Sequence, residues 1–171
     1  MPSIRPEDAA SGGSVEELSP VGLVYVDPNA DVFFYIEQAD WNYEKDRASG
    51  MIFFMNDKMS SPNSIALSSQ PIPASKDPID MIWEEILASQ PLDTTITSSK
   101  DIVVGESRYK GRCYEFSFSY TGSQINMCYY IWVTQEKLYI CSLAYEGKYR
   151  DQILSAGEDI IDSFKTMKEL S

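Results

Sequence analysis

The sequence predicts an α+β fold, an antiparallel β-sheet flanked by helices in an α/β/α sandwich. Three observations predict it. Apolar runs flank a turn between Val21 and Gln38 and return in succession between Ile102 and Tyr145, with the two-residue period of a strand with one buried face at Tyr114 to Tyr120. Two other stretches, one central and one at the end, repeat at three and four, the stripe of amphipathic helices. Short polar turns join most neighbouring strands, and such turns require antiparallel pairing.

In chain order, Met1 to Pro20 has tail composition: three prolines, Gly12, Gly13, several serines and four acidic side chains, with few apolar groups. From Val21 the chain reads as a single domain. VGLVYV and VFFYIEQ flank the turn residues Asp27 to Asp31, giving two strands. Trp41, Asn42 and Tyr43 read as a polar loop, Gly50 to Met55 as a third strand and Ser64 to Leu67 as a short fourth. Ile79, Ile82, Trp83, Ile86 and Leu87 then form a helical stripe, with Asp77 as N-cap, Pro78 at the first helical position and Pro91 as the stop.

The two-residue period returns at Ile102 to Glu106, with a turn expected at Gly111. Tyr114, Phe116, Phe118 and Tyr120 alternate with Glu115, Ser117 and Ser119, and the turn Thr121-Gly122-Ser123 follows. Ile125 to Thr134 and Leu138 to Tyr145 are apolar on both sides, as central strands covered on both faces are. A closing helix over about Asp151 to Met167 turns Ile153, Ile160, Ile161 and Phe164 inward. Gly157 on that stripe costs roughly 0.8–1 kcal/mol in helix propensity, which predicts a close approach of helix to sheet.

Composition excludes several functions. Of 171 residues 43% are hydrophobic and 23% charged, enough for one core that folds without a metal or a disulfide. Twenty-six acidic against 14 basic side chains give a net charge of −12, a field that repels nucleic acid and anionic membranes and favours a basic partner. No apolar run reaches the length of a membrane span. There is no histidine, so the commonest general base and metal ligand is missing, together with every imidazole-dependent dyad or triad. Cys113, Cys128 and Cys141 lie outside any CxxC spacing and read as buried strand residues. The tail matches a tether left when a leader is trimmed, which favours an exported, surface-tethered protein over the cytoplasmic alternative.

Short motifs add little chemistry. Asp27, Asn29 and Asp31 have the opening spacing of a calcium loop, but Val32 and Gln38 stand where that loop needs glycine and glutamate, so the segment reads as a turn. Ser107 and Lys110 match the S-x-x-K spelling of acyl enzymes without its companion motifs. Glu84-Glu85 and Glu158-Asp159 belong to solvated helix faces. No phosphate-cradling glycine motif occurs. The conspicuous surplus is aromatic, with 11 tyrosines and three tryptophans. Trp41, Tyr43, Tyr109 and Tyr149 fall in or beside expected loops and are the candidate contacts for a protein or ligand. No catalytic residue, metal ligand or cofactor is expected.

The second half resembles the PsbP-like domains, a fold shared by the extrinsic oxygen-evolving subunit, the Ran-binding Mog-type protein and small bacterial proteins that are often exported lipoproteins. The resemblance rests on Gly111-Arg-Cys-Tyr114-Glu-Phe, on Lys137-Leu-Tyr-Ile-Cys-Ser-Leu-Ala144 and on Ile160-Ile-Asp-Ser-Phe164. Trp41 stands where the family often has a tryptophan. Coverage runs from Val21 to Lys168. The resemblance implies an antiparallel sheet between helices and a non-enzymatic binding or assembly role, and carries over no catalytic, metal or partner residue. The expected function is recognition of a protein or small ligand. A chaperone-like adaptor for an apolar client segment and a hydrolase using distant carboxylates are the alternatives.

Overall fold

A computed structural model describes residues 15–17 and 22–171. The chain runs β1 (Val15–Glu17), β2 (Leu23–Asp27), β3 (Val32–Ile36), β4 (Trp41–Lys45), β5 (Ile52–Asn56), β6 (Ser64–Pro71), α1 (Pro78–Ala88), β7 (Thr95–Val104), β8 (Tyr109–Tyr120), β9 (Ser123–Val133) and β10 (Lys137–Tyr145). A 3-10 turn at Gly147–Tyr149, α2 (Arg150–Ser163) and the one-turn α3 (Met167–Leu170) close it. β1, β2 and β3 make a small sheet in that order. The other seven form the main sheet in the order β4-β5-β6-β10-β9-β8-β7, every neighbouring pair antiparallel.

β6 and β7 have three strands between them and run parallel, so their connection must cross a sheet face, and α1 is that crossover. Asp77 caps it, its Oδ1 accepting from the Asp80 N–H at 3.1 Å, with Pro78 at the first helical position as expected. Ile79, Ile82 and Trp83 pack on Tyr114, Phe116, Ile131 and Leu138, and Trp83 stacks on Tyr114 at 4.1 Å and 6°. The opposite face carries Cys128, Tyr130, Trp132, Tyr139, Cys141 and Leu143, covered by Ile153, Ala156, Ile160 and Ile161 of α2 and by the inner face of β2 and β3. The expected alternation of β9 is therefore observed, with Cys128, Tyr130 and Trp132 on one side and Met127, Tyr129, Ile131 and Val133 on the other. α3 lays Met167 and Leu170 on the outer face of the small sheet, against Val24, Val26 and Phe33.

The first hairpin turns on Asp27. Its carboxylate is 1% exposed and fully used. Oδ1 accepts from the N–H groups of Asn29 (3.1 Å) and Ala30 (3.2 Å), and Oδ2 from Tyr25 Oη (2.8 Å) and Lys45 Nζ (2.7 Å). Asp31 accepts from the Met167 N–H at 2.7 Å. The D-x-N-x-D spacing is thus spent on an Asx turn and on pinning β2 to β4 and to α3.

The structure corrects five local expectations. Trp41 and Tyr43 are in a strand, β4, pairing with β5; a short edge strand with Asn42 and Glu44 outward has loop composition. β7 begins at Thr95, far ahead of Ile102, because an exposed edge strand has little apolar alternation to show. Gly111 lies inside β8, where a Cβ would stand 2.8 Å from the Ile131 carbonyl oxygen; the turn is at Gly105–Arg108. The last helix stops at Ser163, since Phe164 is extended (φ −53°, ψ 134°) and buries its ring. Ten strands form among the described residues where eight are expected, the additions being β4 and β1. Of the segment read as a tail or tether, only 15–17 are described, as the strand pairing with β2; the rest lies outside the described residues.

Gly157 sits where expected: an added Cβ would meet Leu143 Cδ2 at 2.5 Å and Tyr130 Cε2 at 3.2 Å. Gly105 is more constrained, with φ +70° and a hypothetical Cβ 2.5 Å from the backbone oxygen of Phe164. Its N–H donates to the Ile161 carbonyl at 2.8 Å, tying the β7–β8 turn to the end of α2.

Two stability predictions follow from these contacts. Gly105→Ala costs more than about 2 kcal/mol, because backbone cannot yield and φ is left-handed. Gly157→Ala costs only about 1 kcal/mol, since improved helix propensity offsets part of the crowding against a side-chain end. Denaturant midpoints of the two variants check that order. Burial alone would raise the Asp27 pKa, but the hydrogen bonds from Lys45, Tyr25 and the Ala30 amide outweigh it and hold the carboxyl below its ordinary value. Its stabilisation is accordingly complete above the unfolded value of about 4 and disappears as pH falls through the lower folded value. Asp27→Asn should lose about 2 kcal/mol at pH 7 and converge on the parent in acid, measured by urea unfolding at a series of pH values.

Candidate functional site

α1 has 11 residues and is about 16 Å long, whereas the 12-residue β8 extends about 40 Å. One helix cannot cover that face. Beyond it, at the β8–β9 hairpin end, lies an open groove of about 580 Å³. Its floor is Phe118, Tyr120, Ile125, Met127 and Ala144, adjacent positions on β8, β9 and β10, since Phe118 pairs with Ile125 and Ala144 with Met127. Pro62 walls one side, and Ser61, Thr121, Ser123 and Glu146 make a polar rim. Asn63 holds that wall by donating from Nδ2 to Glu146 Oε1 (3.2 Å) and accepting the Glu146 N–H at Oδ1 (2.9 Å). Phe118 continues the aromatic row of the α1 interface, 6.4 Å from Phe116, while Tyr120 is 66% exposed. Leu92 and Ile96, just after α1, are further exposed apolar side chains, and Asp93 between them accepts the Ser119 N–H at 2.9 Å.

A second cleft, of about 470 Å³, lies between the β7–β8 turn, the β9–β10 turn and α3, lined among others by Asp31, Ser107, Tyr109, Thr134, Lys168 and Glu169. Its polar groups are mostly engaged with one another. Glu169 accepts from Ser107 Oγ, from Tyr109 Oη at 2.9 Å and from the Thr166 N–H at 2.7 Å, and these bonds hold its carboxyl below the ordinary range although burial opposes them. Tyr139 Oη donates to the Asp31 carbonyl at 2.7 Å. Ser107 therefore has a carboxylate of low basicity as its partner, a poor proton acceptor for a hydroxyl nucleophile.

The other carboxyl of note is Asp159, whose pKa burial raises, with the neighbouring Glu37, Asp162 and Glu158 adding to the rise. It accepts the Glu37 N–H at 2.9 Å at the junction of α2 and β3, and it lines neither cleft. Among the described residues no group of three or more Cys, Asp or Glu side chains converges as a metal site would require, and no helix is long and apolar enough to cross a membrane.

The four aromatic candidates do not share a surface. Trp41 is 3% exposed and belongs to the core, its Nε1 donating to Gln38 Oε1 at 3.1 Å. Tyr43 follows on the same face of β4, half-buried edge-on against Tyr25 at 5.4 Å. Tyr109 opens β8, lines the polar cleft and packs edge-on to Phe164 at 5.9 Å. Tyr149 is in the 3-10 turn, half-buried, with Lys148 Nζ 5.1 Å above its ring. The groove residues Phe118, Tyr120, Ile125 and Met127 escaped prediction, although the aromatic alternation of β8 is plain in the sequence. What reveals them is the difference in reach between an 11-residue helix and the strands beneath it.

No protein-family model matches the sequence, and no curated protein does. Solved structures do match. A cyanobacterial PsbP (CyanoP) from Synechocystis sp. is similar over 92% of this chain and 99% of its own, with 12% identity and a TM-score of 0.65. LpqN of Mycobacterium tuberculosis, described as involved in cell envelope biogenesis, is similar over 93% and 94%, with 8% identity and a TM-score of 0.57. A protein from Bacteroides thetaiotaomicron matches over 90% of this chain at 16% identity and a TM-score of 0.57, and this chain spans about half of its length. At these identities the likeness is one of fold. Similarity over nearly the whole of both chains gives this chain the PsbP-like fold.

Proposed function

We propose that the protein is a non-catalytic binding or assembly module whose contact surface is the apolar groove at the end of the main sheet. The observation that carries this reading is the groove beyond α1, floored by exposed Tyr120, half-buried Phe118 and Met127 and buried Ile125. Sheets bury such faces, and an apolar area kept open beside a polar rim is a recognition surface. A net charge of −12 selects the partner further, towards an apolar side chain carried on a basic protein surface. A binding role matches what the fold implied at the level of sequence, and the company of LpqN supports placement at the cell envelope, as an exported and tethered protein.

A chaperone-like adaptor is the second reading. Leu92, fully exposed, and Ile96 extend the apolar surface past the groove towards the edge strand β7, which would suit a longer client segment. The carboxylate hydrolase has less support, because the one described carboxyl with a raised pKa, Asp159, stands outside both clefts.

The test uses a synthetic amphipathic peptide of alternating leucine and lysine as probe, titrated into isotope-labelled protein. Amide shifts are expected to concentrate at Phe118 to Met127, and Tyr120→Ala should weaken binding about tenfold, or about 1.4 kcal/mol, with stability unchanged within about 0.5 kcal/mol. A leucine–glutamate peptide should bind more weakly still. Shifts centred on the polar cleft, or equal affinity of Tyr120→Ala, would refute the groove as the contact surface.

A further inference from the structure

Cys113 on β8 and Cys128 on β9 are both buried, 3% and 1% exposed, and their sulfur atoms are 3.4 Å apart. The register explains the contact. Cys113 pairs with Tyr130 and Cys128 with Glu115, so the two are diagonal neighbours on one face of the hairpin. Cys141 on β10 faces the same core, but Tyr130 stands directly opposite both Cys113 and Cys141, which holds those two a full strand apart. A disulfide needs the sulfurs at about 2.05 Å and rigid limits on the backbone positions. Cys128 is diagonal to Cys141 as well, since it pairs with Leu143, but the sulfur contact is with Cys113, and that contact singles out the Cys113–Cys128 pair.

We infer that Cys113 and Cys128 are a disulfide-forming pair that staples the β8–β9 hairpin under oxidising conditions, with Cys141 left as a free thiol. The reaction is a thiol–disulfide exchange with an external disulfide, for which glutathione disulfide serves as probe. The Cys113 thiolate attacks one glutathione sulfur and expels the other as glutathione thiolate. Cys128 then gives up its proton and displaces the second glutathione, so that two protein thiols are oxidised to one disulfide and one glutathione disulfide is reduced to two thiols. Of the two, Cys113 is the better thiolate, because the contact between the sulfurs lowers the Cys113 thiol and raises that of Cys128. The packing of α2 and the small sheet over this face places the exchange during folding, before those elements close over the pair.

The experiment needs only the wild-type chain. It is refolded in a glutathione redox buffer, alkylated in denaturant and cut with trypsin, which releases Cys113 to Lys137 as one peptide and Leu138 to Lys148, with Cys141, as another. The expected result is a first peptide lighter by two hydrogens and unalkylated, and a second peptide fully alkylated. Cys141→Ser should keep the cross-link and Cys113→Ser should abolish it. The oxidised protein should melt about 5 °C above the reduced one, as a short closed loop in native geometry allows. Alkylation of both Cys113 and Cys128 in a buffer that oxidises a control protein, participation of Cys141, or an oxidised form that melts no higher would each overturn the inference.

Discussion

The structure depends on one constraint: the inner strands of the main sheet are apolar on both faces, so neither face can be left to water over its whole length. β9 carries Tyr130 and Trp132 towards one layer and Tyr129 and Ile131 towards the other. Each layer must therefore be roofed separately, and the chain does so with different materials. The crossover helix α1 roofs one face. On the other, α2 shares the work with the inner side of the small sheet, whose own outer side is in turn closed by α3. Fully covering an aromatic or branched side chain contributes about 1.5–3 kcal/mol, so these roofs supply most of what holds the fold.

The two roofs are unequal, and the inequality makes the groove. α2 with β2 and β3 spans its face, while α1 stops short of the hairpin formed by β8 and β9. The polar cleft at the opposite end differs in kind. Its Ser107, Tyr109, Thr166 and Glu169 groups bond to one another and fasten α3 in place, so that it reads as a joint between elements.

Most of the layer structure was legible in the sequence because burial on two faces leaves a strong imprint. The parity of β9 and β10, the Asp77-Pro78 start of α1 and the close approach at Gly157 were all readable from residue types and spacing. The edges were not. β7, with Thr95 to Asp101 largely exposed, and β4, with Asn42 and Glu44 outward, bury too little to show a period, and Trp41 reads as a loop residue although its ring is core. Gly111 reads as a turn because glycine marks turns and close contacts alike, and the sequence does not distinguish them. The groove is hidden in the sequence for a related reason: its floor looks like core, and only the length of the covering helix shows where the cover ends.

The placement of β6 has a consequence for how the molecule assembles. β7 to β10 form a meander whose neighbours are joined by short turns, so those strands can find one another quickly. β6 meets β10 by pairing Pro71 with Lys137 and Ser64 with Ala144, positions 66 and 80 residues apart, and it must close a long loop to do so. The C-terminal meander is thus the natural nucleus, and the N-terminal strands wait until β10 has been made. A ribosome releases the chain in the reverse order, so the hairpins β2–β3 and β4–β5–β6 emerge before the strand that joins them to the meander, and the free edge of β6 stays open until β10 has been synthesised.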